Sequence, residues 1–137
     1  MSEHCETVRR YLTAFWDSRW EDLLACLADD AVYVDPLLPA AVRGKSAIRD
    51  VLAYCHEWGE YSGEIRNVFG SGSFVAAELR IRGRVKEPPE GMTGAVVGKE
   101  FDFIEADVFE FDENGLIVRE TIYADGLTLE RQLGERF

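Results

Sequence analysis

Phe101, Phe103, Phe109 and Phe111 recur at odd positions along one unbroken stretch of this chain. A period of two is the signature of a β-strand, in which alternate side chains share a face. A helix would scatter the same rings around its circumference. The row also contains Glu105 and Asp107, so two carboxyl groups share a face with four phenylalanines. An ionised carboxylate against apolar surface is costly unless it is paired, solvated or protonated. Such groups occur at sites that use a neutral acid as a hydrogen-bond donor. They also occur on half-exposed strands, where Glu105 would pair with one of Arg80, Arg82 or Arg84 on a neighbouring strand.

The surrounding sequence builds a sheet around that strand. Asp112-Glu113-Asn114-Gly115 predicts a hairpin turn, because Asn-Gly tolerates the positive φ values a tight turn needs. Leu116 to Tyr123 is then the return strand. From Phe74 to Val85 the alternation places Val75, Ala77, Leu79, Ile81 and Val85 on one face, with Glu78, Arg80, Arg82 and Arg84 on the other. Glu60 to Phe69 reads as a further strand, closed by Gly70-Ser71-Gly72. Residues 86 to 98, with Pro88-Pro89 and three glycines, read as a mobile loop.

The first 58 residues are helical apart from one short strand. Val8, Leu12, Phe15 and Trp16, with Tyr11 beside them, follow helical spacing. Ser18-Arg19-Trp20-Glu21 has the form of a capping box for a second helix, which Asp29-Asp30 would end. Ala31 to Asp35 is the short strand, stopped by Pro36. A third helix after Gly44 would bury Ile48, Val51, Leu52 and Cys55 and end near Trp58-Gly59. Leu127 to Leu133 completes the chain as a short helix. Helices first and an antiparallel meander afterwards make an α+β fold, with helices covering one face of a curved sheet. Residues 1–137 make one domain, since the 137 residues suit a single core.

Composition narrows the partners. A net charge of −11 argues against nucleic acid and anionic membrane, both of which need a basic footprint. No apolar run approaches the roughly 18 residues of a membrane span, and the N-terminus lacks the pattern of a signal peptide. Cys5, Cys26 and Cys55 have no metal-ligand spacing, and His4 and His56 are too few to suggest zinc. Reduced thiols in a cytoplasm are the expectation. The apolar face of Val75, Ala77, Leu79, Ile81 and Val85 exceeds what three short helices can cover, which predicts a homodimer through the sheet.

The order helix, helix, short strand, helix and four long strands resembles the cystatin-like cone of the nuclear transport factor 2 superfamily. The resemblance rests on Leu27 to Pro36, on Gly44-Lys45-Ser46-Ala47-Ile48-Arg49 and on Asp107 to Ile117. The closing Gln132-Leu133-Gly134 is similar to the tail of SnoaL-like polyketide cyclases. Within the superfamily the chain resembles ketosteroid isomerase, which uses a tyrosine on the first helix, an aspartate before a proline, and an aspartate on the third long strand. Tyr11, Asp35 and Asp107 occupy those positions. The resemblance implies that Asp35 takes a proton from a carbon next to a carbonyl, while Tyr11 and a protonated Asp107 donate hydrogen bonds to the enolate oxygen. A neutral aspartic acid in ketosteroid isomerase is an established example of such a donor.

SnoaL-like cyclases also use an acid at the position of Asp107. The implied activity is isomerisation or polyketide cyclisation without a cofactor, on a small apolar, steroid-like or polyketide-like molecule. Trp16, Trp58, Phe103, Glu105, Phe109 and Tyr123 are the candidate substrate-binding residues. Two other readings stay open. One is epoxide opening of the limonene epoxide hydrolase type. That type has an arginine where Glu105 stands here and a last-strand acid where Ile122 stands, with Asp125 nearby as a substitute. The other is a member that binds a small ligand without catalysis. Residue by residue, Tyr11 could be a core tyrosine and Asp35 a turn former.

Overall fold

The computed structural model describes residues 2–137. Helix α1 (Glu3–Trp16) begins where the Ser2 hydroxyl accepts the Cys5 amide at 3.2 Å, and it buries Val8, Tyr11 and Leu12. Helix α2 is only Trp20–Ala25. Its expected capping box does not form. Ser18 has φ 55°, Arg19 takes the cap position, and its side chain makes no capping hydrogen bond to a first-turn amide. A capping serine must be extended to reach the N3 amide, and Ser18 is instead in the left-handed turn that ends α1.

Strand β1 (Leu27–Val34) starts four residues earlier than the sequence predicts. Asp29 and Asp30 do not break a helix. They lie exposed in an irregularity of this strand, where the register slips between Leu27 and Val32. The two-residue β2 (Val42–Arg43) pairs back onto β1. Helix α3 (Lys45–Trp58) follows Gly44, whose φ of 90° suits glycine. It buries Ile48 and Leu52, while Val51 and Cys55 are half-buried against the cavity described below.

Four long strands complete the sheet: β3 (Gly59–Ser71), β4 (Phe74–Val85), β5 (Glu100–Phe111) and β6 (Ile117–Ala124). The strand order is β2-β1-β6-β5-β4-β3. The β1–β6 pair is parallel and the other pairs are antiparallel, so the sheet is mixed. Helix α4 (Gly126–Leu133) closes the chain. Helices lie on the concave face of this open, curved sheet, which makes the fold an α+β cone as the sequence predicts.

The loop expected to be mobile is anchored. Val96 is fully buried inside a short 3-10 turn. The Lys86 amide bonds the Trp58 carbonyl at 2.7 Å, and the Thr93 amide bonds Glu135 Oε1 at 2.8 Å.

The face argued to need a partner is also accounted for within the chain. Val75, Ala77, Leu79, Ile81 and Val85 are all buried in the monomer's own core. The opposite face carries Arg80, Asp102, Arg84 and Glu100 in cross-strand pairs, with Phe69, Phe74, Ile104 and Tyr123 exposed. The homodimer expectation therefore loses the residues on which it was argued.

Candidate functional site

Strand β5 sets the site. Its odd residues face the helices, so Phe103, Glu105 and Asp107 open into a cavity of about 380 Å³. That is within the range of roughly 300–1,000 Å³ usual for small-molecule sites. Helix α1 contributes Tyr11 and Trp16, α3 contributes Cys55 and Trp58, and β3 contributes Tyr61. Tyr33 and Asp35 enter from β1 and its exit. Trp16 lies across β3 at Gly63, where a Cβ would stand 1.9 Å from the indole. Only glycine lets this cavity wall close there.

The cavity brings together Tyr11, Asp35, Asp107, Trp16, Trp58, Phe103 and Glu105. It does not include the other two residues predicted to bind substrate. Phe109 is fully buried behind the site, edge-on to Tyr11 with centroids 5.7 Å apart. Tyr123 is 62% exposed on the far side of the sheet. Asp125, the substitute acid of the epoxide reading, caps α4 through Thr128 and lies outside the cavity.

The error at Tyr123 and the main omission have one cause. Alternation from buried Ile117 would turn Arg119, Thr121 and Tyr123 inward. The register instead slips opposite Glu110 and Phe111, and an extra residue in one strand reverses the faces beyond it. Glu120 therefore turns inward, with 4% of its surface exposed. It sits opposite Phe109, and Ile122 sits opposite Asp107, so Asp107 and Glu120 are diagonal neighbours. Tyr33, near the end of β1 and two residues before Asp35, also lines the cavity and was not among the expected site residues.

Hydrogen bonds divide the site into two ends. At the inner end the Tyr11 hydroxyl donates to Glu120 Oε1 at 2.6 Å. At the outer end the Tyr33 hydroxyl donates to Asp35 Oδ2 at 3.1 Å, and the Leu37 amide donates to Asp35 Oδ1 at 2.9 Å. Asp35 is thus both a turn former and a cavity residue. Asp107 is 2% exposed, and its Oδ1 has no hydrogen-bond partner among the described residues.

Burial first, and then Glu105 and Glu120, hold the Asp107 carboxyl well above the usual carboxylate range. Burial pushes Glu120 up to about 8, against the pull of hydrogen bonds from Tyr11 and Asp107. Glu105 is also raised, chiefly by burial. Two ionised carboxylates have no proton to share, so they cannot bond each other. A proton on one of the three converts their contact into an O–H···O bond, and this is what the unpartnered Oδ1 lacks. The inner end is therefore a cluster of neutral or proton-sharing acids. Burial pushes the Cys55 thiol up to about 12, which leaves it a poor nucleophile. Among the described residues no set of His, Cys, Asp and Glu is arranged to hold a metal ion.

Residues 8–120 match the family model of the SnoaL-like domain. No curated protein matches the sequence. Solved structures share the fold at low identity. A candidate polyketide cyclase from Xanthomonas campestris pv. campestris is 23% identical with a TM-score of 0.82, over 95% of this chain and 96% of that one. An epoxide hydrolase of M. tuberculosis, described as LEH-like, is 21% identical with a TM-score of 0.74, over 96% of this chain and 89% of that one. A Catenulispora acidiphila protein with a ketosteroid isomerase-like fold, solved with trimethylamine, is 20% identical with a TM-score of 0.79, over 95% and 93%.

Proposed function

The chain belongs to the SnoaL-like domain family, and within that family we propose that it is an acid–base enzyme acting on a small apolar carbonyl compound. The observation that carries this reading is the buried Asp107 carboxyl, set against Glu105 and Glu120 in the wall of an aromatic-lined cavity. A neutral acid there donates a hydrogen bond to a carbonyl oxygen as negative charge develops on it. Asp35, at the other end of the cavity, takes the proton from the adjacent carbon. Returning that proton to a different carbon completes an isomerisation, and attack of the enolate carbon on a second carbonyl completes a ring closure. Trp16, Trp58 and Phe103 form walls for the apolar body.

Tyr11 acts through Glu120 in this scheme. While Glu120 is ionised, the Tyr11 hydroxyl is committed to it. A proton on Glu120 lets that carboxyl donate to the Tyr11 oxygen instead. The Tyr11 hydrogen is then free to join Asp107 on the substrate oxygen. With Glu120 at about 8, this state is available at neutral pH.

The test needs no knowledge of the natural substrate. The protein is incubated with 2-tetralone in D2O, and loss of the α-proton NMR signals reports proton abstraction next to a carbonyl. Asp107→Asn should slow the exchange about a hundredfold to a thousandfold, the range for one oxyanion donor. Asp35→Asn should slow it further, since an amide cannot act as the base. Wild-type exchange no faster than with an equal concentration of acetate would refute the reading.

A second reading is favoured by one observation, the presence of Glu120 as a last-strand acid beside Asp107. Two such acids can protonate an epoxide oxygen and activate water. Glu105, where the epoxide hydrolase pattern has arginine, weighs against it. Diol formation from styrene oxide, lost in Glu120→Gln, would support epoxide opening over enolate chemistry.

A further inference from the structure

Asp35 stands in the cavity wall without a cation, since no Lys, Arg or His lines the cavity among the described residues. The titratable groups that face it are Tyr33 from β1, Glu105 from β5, Glu120 from β6, Cys55 from α3 and Tyr61 from β3. Among these, Tyr33 is the one that bonds it, its hydroxyl donating to Asp35 Oδ2 at 3.1 Å. The second donor is the Leu37 amide, 2.9 Å from Oδ1. It is the first amide available past Pro36, which has none. Each carboxyl oxygen of Asp35 thus accepts one donor. Held only by the Leu37 amide, the carboxyl could pivot about that bond; held at both oxygens, it is fixed in its plane. Tyr33 is itself fixed. It is 3% exposed and lies beside Glu120 in the parallel β1–β6 register. Burial, and then Asp35, push its phenol well above the usual range, so it remains a donor.

We propose that Tyr33 is the positioning residue for Asp35: its hydroxyl aims the carboxylate and supplies the one side-chain donor to its charge. The inference rests on reading Asp35 as the base of the proposed reaction. A carboxylate offers about four acceptor positions. Tyr33 and Leu37 take one on each oxygen, which leaves a lone pair on each for the proton of the substrate. Proton abstraction is sensitive to aim, and a misplacement of about 1 Å can cost roughly a hundredfold in rate. A hydrogen bond to the charged form also favours that form, so one contact serves both orientation and protonation state. The two tyrosine–carboxyl pairs of the site then have different tasks. Tyr11 is released from Glu120 to reach the substrate oxygen, while Tyr33 stays on Asp35 and does not touch the reacting atoms.

Tyr33→Phe keeps the ring and removes only the donor. The exchange of 2-tetralone is followed across the pH range in both proteins. The acid limb of the profile, where the base loses its proton, should move to higher pH by about one to two units, the scale of one hydrogen bond to a charged group. The alkaline limb belongs to the acids of the inner end and should stay in place. The plateau between them should fall about tenfold to a hundredfold as the base loses its aim. Carboxyl carbon NMR of the ligand-free protein should show Asp35 titrating higher in the variant by the same one to two units. A rate loss at every pH with the acid limb unmoved would make Tyr33 a wall residue and overturn the inference, as would an unmoved Asp35 titration. The NMR measurement does not depend on turnover. A moved Asp35 titration in a protein that exchanges no tetralone would defeat the enolate reading and retain the hold of Tyr33 on Asp35. Wild-type exchange with an unmoved Asp35 titration would do the reverse.

Discussion

Asp102 and Asp107 lie on the same strand and titrate in opposite directions. Asp102 points outward, and the hydrogen bond from Arg80 holds its carboxyl below the usual range. Asp107 points inward, and burial beside two more acids pushes it well above that range. Local sequence does not distinguish them, since each stands between apolar residues. The face of the sheet decides, and with it the company each acid keeps. The outer acid is placed as a structural residue is placed, next to a base and in water. The inner acid has neither, and it is the one that faces a cavity.

Replacing the inner acid should produce the largest departure from this contrast. A carboxyl whose pKa is higher folded than unfolded binds its proton more tightly in the native state. Its stabilising contribution is complete below the unfolded pKa and is lost as pH rises through the folded one. For Glu120 that window runs from about 4.5 to about 8, and Asp107 adds a decline of the same sign. The wild-type urea midpoint should therefore fall steadily from mildly acidic to mildly alkaline pH. Asp107→Asn should flatten that fall and raise stability above pH 7 by about 1–3 kcal/mol, the scale of relieving one buried unsatisfied group. Strong destabilisation by Asp107→Asn at pH 7 would instead mark Asp107 as an ionised structural partner and undo its catalytic assignment.

An effect on stability of similar size and opposite sign is expected one bond further in. Tyr11→Phe removes the donor that lowers Glu120, so the Glu120 carboxyl should titrate above its wild-type value of about 8. Carboxyl carbon NMR reads this directly. Stability at pH 9 should drop by roughly 1–3 kcal/mol, because a buried carboxylate loses its hydrogen bond. An unchanged Glu120 titration would mean that Tyr11 is only a packing residue and that the proton-sharing scheme is wrong.

The two faces also explain how far the sequence could be read. On β5 the regular alternation brings Glu105 and Asp107 to the cavity as its period predicts. The inward row of β4 follows the same rule, although its residues are consumed by the chain's own core instead of by a second copy. On β6 the period breaks at a single register slip, and Glu120 and Tyr123 exchange faces. Nothing in Leu116 to Tyr123 announces that slip, because a bulge is fixed by pairing with β5 and not by the residues in it. Asp29-Asp30 show the same limit in β1, where two polar residues that would stop a helix are absorbed by an irregular strand. Hydrogen bonding across long sequence separations, such as Tyr11 to Glu120, was not legible at all.

The outer pair should give the smallest effect. Arg80→Ala removes both hydrogen bonds to the Asp102 carboxyl, at 3.0 and 2.8 Å. Both side chains are partly in water, where such pairs contribute little to stability. The backbone of Asp102 is held independently. Its amide donates to Gln132 Oε1 at 2.8 Å, and its carbonyl accepts from Gln132 Nε2 at 2.7 Å, which ties β5 to α4. Removing the guanidinium should return the Asp102 titration toward the ordinary carboxylate value, a shift visible by carboxyl NMR. The urea midpoint at pH 7 should stay within error of wild type, and added salt should leave the comparison unchanged. Tetralone exchange should also be unaffected, because no atom of this pair reaches the cavity. A clear loss of stability or of exchange in Arg80→Ala would mean that the outer face helps to hold the inner acids in place, and that the two faces of β5 do not act separately.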